Sequence, residues 1–175
     1  MDADLAQRMW VRLRERWESE SHLPLEQRLA TLQAIGMCGA PDAARFLSDL
    51  SQAYPERRLE GLSAHRWICM QVANGGVVGR DVLYERLTSE EDPLRRLDLI
   101  WAYATIHGDE QVREGLLALV EDDALHPLER LFSAERLVRV GPSHAVAPRL
   151  KRVLPRIEHD QEAIAALRCL MWKWY

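Results

Sequence analysis

The sequence predicts an all-α fold built from four helical hairpins, with one further helix at each end. The first observation is a repeat: PLRRL at residues 93–97 is followed 34 residues later by PLERL at residues 127–131, and PLEQRL begins 69 residues before Pro93. A period of this length is typical of repeat proteins made of helical pairs. The second observation is that strand signals are nearly absent, because Val77-Val78 is short and bracketed by glycines.

Each unit is predicted to contain a first helix, a turn with glycine, and a return helix. Proline is tolerated at the first helical position because its missing N–H would have no partner there, and Asp92 before Pro93 is a good N-cap. The unit beginning at Pro55 matches the spacing of the other units less closely and is expected to carry a longer first helix. Glycine supplies the left-handed conformation that ends a helix, so the first helices are expected to end at Gly36, Gly75-Gly76, Gly108 and Gly141. The return helices are expected at residues 39–54, 79–88, 109–121 and 142–154.

Apolar residues recur at helical spacing in the first helices, which predicts a buried face on each. One hairpin cannot bury this face alone, so neighbouring hairpins are expected to stack into a solenoid, an α-α superhelix. Trp67 and Trp101 lie within the apolar stripes and are expected in the core. The two clearest stripes are Leu94, Leu97, Ile100, Trp101 and Ala104, and Leu128, Leu131, Phe132, Leu137 and Val138.

The predicted organisation is a single domain spanning residues 1–175. Residues 1–22 are expected to form an N-terminal capping helix, and residues 158–175 a C-terminal helix with an aromatic tail. Between them, the four repeats are expected at residues 23–54, 55–91, 92–125 and 126–157.

The units resemble HEAT repeats, especially the short bacterial form that also occurs in phycobilin lyases. GAPDAARFL at residues 39–47 resembles the start of the second helix of that form, and SAERLVRVG at residues 133–141 resembles the end of its first helix. The resemblance covers most of residues 24–173 and implies a bacterial, armadillo-like protein. Tetratricopeptide repeats share the 34-residue period, but their signature of Trp, Leu-Gly and Tyr does not recur, so they are the second choice.

Composition bears on the class of function. The 23 basic and 27 acidic residues give a net charge of −4, which provides no global attraction for nucleic acid or an anionic membrane. The N-terminus lacks the apolar run of a secretory signal, and no segment approaches the roughly 20 apolar residues of a membrane-spanning helix. We therefore expect a cytoplasmic protein, in which Cys38, Cys69 and Cys169 are reduced and buried among apolar neighbours.

No catalytic set, metal site or cofactor is predicted. The six histidines form neither an H-x-x-x-H nor an H-E-x-x-H pair, and the His-Glu dipeptides of the HEAT-like deoxyhypusine hydroxylases are missing. The cluster GGVVG at residues 75–79 lacks the lysine and the preceding strand of a phosphate-binding loop, so it is interpreted as an inter-helix turn.

Candidate binding residues fall into a basic group and two aromatic groups. The last return helix carries the basic group, in a region where residues 127–175 hold 9 basic and 5 acidic residues. The aromatic residues are expected either to cover the ends of the stack or to form an interface, for which aromatic and arginine side chains are favoured. The candidates are Arg149, Lys151, Arg152 and Arg156, then Trp10 and Trp17, and finally Trp172, Trp174 and Tyr175.

These observations favour a protein-binding scaffold or adaptor. It would contact another protein, or a second copy of this chain, through its concave face or its aromatic ends. The alternative is a nucleic-acid-acting enzyme similar to the HEAT-like DNA alkyl-base glycosylases, which would use the basic C-terminal end. The net negative charge disfavours general DNA binding. A bilin lyase or chaperone role follows from the repeat resemblance alone.

Overall fold

Helices make up nearly all of the regular structure in a computed structural model that describes residues 2–54, 58–157 and 159–174. The all-α prediction is therefore confirmed for these residues. The side chains of residues 170–174 lie outside the description. The chain divides into two compact units, Met1–Glu91 and Asp92–Tyr175, here called unit 1 and unit 2. Their boundary coincides with the predicted boundary between the second and third repeats.

The described residues of unit 1 form five α-helices, one short 3₁₀ helix and one small hairpin. Helix α1 packs on α2 and α3, α2 packs on α4, and α3 packs on α4 and α5. Two hairpins, α2–α3 and α4–α5, thus lie side by side, and α1 packs on the first of them. The elements are α1 Ala3–Ser19, the 3₁₀ helix Leu25–Arg28, α2 Leu29–Met37, α3 Pro41–Gln52, β1 Arg58–Leu59, β2 Leu62–Ser63, α4 Ala64–Ala73 and α5 Val77–Ser89.

Unit 2 is built on the same plan. Helix α6 packs on α8, α7 packs on α8 and α9, and α10 packs on α8. First helices therefore lie beside first helices, and return helices lie beside return helices. The elements are α6 Pro93–Ala104, α7 Glu110–Glu121, α8 Pro127–Val140, α9 Val146–Ile157 and α10 Gln161–Trp174.

The predicted helix starts are confirmed at α6 and α8, where proline occupies the first turn. The side chain of Asp92 caps α6 by accepting hydrogen bonds from the backbone N–H groups of Leu94 and Arg95, at 2.8 and 3.1 Å. Gly141 ends α8 with a φ of 86°, as expected for a glycine at a helix C-terminus.

The expectation of a longer first helix in the second repeat, residues 55–91, is wrong. Before the ten-residue helix α4, residues 58–63 form an antiparallel hairpin in which Arg58 pairs with Ser63 and Leu59 with Leu62. Its two turn residues, Glu60 and Gly61, both have positive φ, which is the requirement of a two-residue type I′ turn.

Gly36 does not end its helix, contrary to the prediction. It lies inside α2, which continues to Met37, and the left-handed residue of this turn is Gly39, with a φ of 67°. A Cβ on Gly36 would collide with the carbonyl oxygen of Gln71 in α4. Glycine is therefore needed here so that α2 and α4 can approach each other closely.

Three residues that are predicted to be buried in the core are exposed. Leu94 and Val138 are 68% and 57% exposed, so the predicted stripes overstate the buried faces of α6 and α8. Leu94 occupies the first turn of α6, and Val138 points away from the buried stripe that contains Phe132 and Leu137. Cys169 in α10 is exposed, whereas Cys38 and Cys69 are buried, as expected.

Candidate functional site

Helix α9 presents one apolar face and one basic face. Its buried residues are spaced by three or four positions, the spacing of one helical face, and they are Val146, Leu150, Val153 and Ile157. The candidate residues Lys151, Arg152 and Arg156 lie on the opposite, exposed face. This amphipathic pattern places three of the four predicted cations at the surface of unit 2.

The fourth cation, Arg149, is held by two glutamates of α7. Its Nε and Nη2 donate to the two carboxylate oxygens of Glu121 at 3.1 and 2.5 Å, and its Nη1 donates to Glu114 at 2.7 Å. Glu121, and after it Glu114, raises the pKa of Arg149 above its ordinary value. Arg149 therefore joins α9 to α7, and its charge is balanced within unit 2.

A groove of about 290 Å³ lies beside this ion-pair network. Arg130, at the N-terminal end of α8, also lines the groove, and its Nη2 lies 2.7 Å from an oxygen of Asp123. Arg152 and Arg156 form no ion pair with any described residue. We call this site the arginine groove, and its lining residues are Glu121, Asp123, Arg130, Arg149, Arg152, Val153 and Arg156.

Sequence analysis missed the contribution of Arg130 to this groove. The signal was present, because Arg130 is the basic residue of the PLERL motif and therefore recurs with the repeat. Its Nε donates a hydrogen bond of 3.0 Å to the carbonyl oxygen of Val120 at the end of α7.

The tryptophans of α1 lie in the core of unit 1. Trp10 and Trp17 are 4% and 7% exposed, and both pack against Phe46 of α3, with ring centroids 5.2 and 6.0 Å away. Arg28 covers the ring of Trp17. The two tryptophans thus pack α1 against the α2–α3 hairpin. Neither side chain is exposed at the surface.

The other aromatic candidates cannot be placed in the same way. The side chains of Trp172 and Trp174, and all of Tyr175, lie outside the described residues. Their assignment as interface residues stays a prediction.

Trp101 is only partly buried, whereas the core position of Trp67 is confirmed at 3% exposure. The guanidinium carbon of Arg136 lies 4.2 Å from the centre of a Trp101 ring, and Phe132 stacks on the same side chain at 6.3 Å. A small cavity of about 130 Å³ opens beside these residues. Arg136 is itself buried and is paired with Glu135, so this cluster has a packing role.

An apolar groove of about 490 Å³ lies in unit 1, at the turn between α4 and α5. Met37 and Val77, which are 67% and 59% exposed, form part of its wall. Residues 74–76 form a turn, which confirms the interpretation for Gly75 and Gly76, but Val77, Val78 and Gly79 belong to α5, where Gly79 lies against the backbone of Val72.

The histidines form no metal centre in the described part of the chain, where no group of three or more His, Cys, Asp or Glu residues could hold a metal ion. His65 is buried in α4, with its Nε2 3.2 Å from the amide nitrogen of Gln52 and 3.8 Å from the sulfur of Cys69. Among the same residues, no helix has the length and hydropathy needed to cross a membrane.

Comparison of the chain with protein-family models, with curated proteins and with solved structures gave no match.

Proposed function

We propose that this chain is a HEAT-like helical-repeat protein that acts as a scaffold or adaptor by binding another protein. The two units support the repeat assignment, because each consists of two hairpins packed side by side with like helices adjacent. A HEAT-like solenoid extends this arrangement to all four hairpins and exposes its return helices on the concave face.

A recurring arginine contact also supports the repeat. Arg28 and Arg130 occupy the arginine position of the motifs PLEQRL and PLERL, at residues 24–29 and 127–131. Each donates to a carbonyl oxygen in the last turn of the preceding helix, Arg28 to Trp17 and Arg130 to Val120. The last carbonyls of a helix have no partner within it, so an arginine from the next element supplies one.

The observation on which the scaffold function depends most is the exposed basic face of α9. A return helix whose exposed cations form no ion pair with a described residue, and which borders a groove, is suited to charge-complementary recognition of a partner. Trp10 and Trp17 are buried, so the exposed return-helix surface supports the proposal better than the aromatic residues of α1 do.

The proposed function is tested by chemical cross-linking in the source cells, followed by reconstitution of the purified chain with the cross-linked partner. We expect a complex of fixed stoichiometry that calorimetry can measure. Failure to reconstitute any complex, together with turnover of a small molecule or a modified base, would overturn the scaffold proposal.

The second candidate is an enzyme that acts on nucleic acid, of the HEAT-like glycosylase type. The same exposed Arg152 and Arg156 favour it, because arginine contacts with phosphates dominate DNA affinity. It predicts DNA binding that weakens steeply with salt and after charge reversal at Arg149 and Arg152. Undetectable DNA binding at low salt would eliminate this candidate.

A further inference from the structure

We propose that the arginine groove binds an acidic segment of a partner protein, with two carboxylates of that segment paired to Arg152 and Arg156. This inference rests on the proposed scaffold function and names the chemistry of the partner. It depends on three features of unit 2, namely the spacing of the two arginines, their lack of ion pairs, and the acidic residues around them.

Arg152 and Arg156 are four residues apart in α9, so their side chains leave the same face one turn apart. Four residues of an α-helix span about 6 Å along the axis. Glutamates at positions i and i+4 of a partner helix have the same separation. Two arginines and two carboxylates can therefore pair in register, each through the bidentate geometry that guanidinium groups favour.

The remaining cations of the groove are already balanced. Arg149 is bound to Glu114 and Glu121, and Arg130 lies 2.7 Å from Asp123. Arg152 and Arg156 are exposed, and neither forms an ion pair with a described residue. The groove thus offers two available cations at a defined place, and a ligand does not have to break an existing pair to reach them.

The acidic residues in the groove favour a protein segment over nucleic acid. Glu121 and Asp123 line the same groove as Arg152 and Arg156. A nucleic-acid backbone carries a charge at every nucleotide, so it would bring phosphates towards these carboxylates. A peptide can place two carboxylates at the arginines and neutral residues opposite Glu121 and Asp123.

The test measures the binding of a fluorescein-labelled helical peptide with glutamates at i and i+4 by fluorescence anisotropy, at low salt. A peptide with glutamine at the same positions is the ligand control. We expect the full chain to bind the glutamate peptide more tightly than the glutamine peptide. The double substitution Arg152→Glu/Arg156→Glu should weaken this binding by about tenfold or more, because it removes two charge pairs.

A matched variant is available in α1. Arg8 and Arg12 are also four residues apart, exposed, and without an ion pair to a described residue. The substitution Arg8→Glu/Arg12→Glu changes the net charge by the same amount and should alter affinity by about twofold or less, since only long-range charge is changed. Circular dichroism checks that both variants keep their helical content.

Three results of the peptide experiment would overturn the inference: no measurable binding of the glutamate peptide, equal binding of the glutamine peptide, or equal weakening by the two double variants. An oligonucleotide of mixed sequence is tested in parallel. If it binds through Arg152 and Arg156 while the peptide does not, the surface is a nucleic-acid site. If a reconstituted protein complex survives Arg152→Glu/Arg156→Glu unchanged, the inference fails and the scaffold function stands.

Discussion

The guanidinium carbon of Arg28 lies 3.1 Å from the centre of a Trp17 ring, and its Nη2 donates a hydrogen bond of 2.5 Å to the Trp17 carbonyl oxygen. Arg28 is 7% exposed, and burial lowers its pKa from the ordinary value. One side chain thus fastens the C-terminal end of α1 to the element that precedes α2.

Arg28→Met should destabilise unit 1 by about 1–3 kcal/mol. Methionine keeps much of the apolar stem but loses the cation–π contact and leaves the Trp17 carbonyl without its charged donor. The free energy of unfolding, measured with urea, checks this prediction. Because methionine retains most of the apolar stem, the loss of stability reports mainly on the guanidinium group.

Arg14→Met is the matched control for this change. Arg14 is an exposed residue of α1 that pairs with Glu18 one turn away, at 3.0 Å, and its guanidinium carbon lies 5.9 Å from the centre of a Trp10 ring. Removal of these two exposed contacts should change the free energy of unfolding by about 1 kcal/mol or less. Equal losses for Arg14→Met and Arg28→Met would show that the contact with Trp17 has no special weight.

Gly36→Ala should destabilise the protein by about 1–3 kcal/mol, the usual range for overpacking. Alanine would normally stabilise a helix by about 1 kcal/mol relative to glycine. Here its Cβ would collide with the backbone carbonyl of Gln71, so α2 and α4 would have to separate. Thermal unfolding of the variant measures the effect.

Ala30→Gly, at an exposed position of the same helix, isolates the helix propensity. We expect it to lose about 1 kcal/mol. If Gly36→Ala instead raises the free energy of unfolding by about 1 kcal/mol, the result would contradict the close approach of α2 to α4.

Local chemistry accounts for the parts of the fold that sequence analysis predicted correctly. Asp92 caps α6 and Gly141 ends α8 through interactions with backbone groups a few residues away, which a short sequence pattern contains. Gly36 was misread because its reason is tertiary, the approach of Gln71 from another helix. The hairpin at Glu60-Gly61 was missed because glutamate rarely adopts positive φ.

In the candidate site as well, features set by the local sequence were predictable and features set by tertiary packing were not. The exposure of Lys151, Arg152 and Arg156 follows from the apolar spacing in α9, so the sequence contained it. The neutralisation of Arg149 depends on glutamates 28 and 35 residues earlier in the chain. A pairing over this distance is decided by how α7 and α9 pack, which one sequence does not specify.

Glu129 and Glu20 should give opposite contributions to the pH dependence of stability. Burial raises the pKa of Glu129 above the ordinary value of 4.5, although Arg96 lies 3.3 Å away and opposes the shift. Hydrogen bonds from Arg16 and Thr31 lower the pKa of Glu20. The folded state therefore binds a proton at Glu129 more tightly than the unfolded state does, and at Glu20 less tightly.

The sign of each effect follows from this linkage. As the pH falls through the folded-state pKa of Glu129, protonation relieves the burial penalty and this group's contribution to stability increases. The contribution of Glu20 is present above its unfolded-state pKa and is lost as the pH falls through its folded-state pKa.

Urea unfolding of Glu129→Gln and Glu20→Gln, from neutral pH to below 4.5, tests both signs. Relative to wild type, the stability of Glu129→Gln should fall as the pH is lowered, whereas that of Glu20→Gln should rise. Parallel trends for the two variants would contradict the assigned shifts.

A double-mutant cycle with Arg149→Ala and Glu121→Ala should show favourable coupling at low salt. The two side chains are 38% and 31% exposed and their closest atoms are 2.5 Å apart, so added salt should reduce the coupling through screening. Urea unfolding at low and high ionic strength measures the coupling free energy, and zero coupling at low salt would contradict the ion pair.

The cycle of Arg152→Ala with Glu121→Ala is the control. It should show no coupling, because Arg152 forms no ion pair with Glu121 or any other described residue. Coupling for Arg149 alone would show that Arg149 joins α9 to α7 and that Arg152 makes no comparable contact with Glu121.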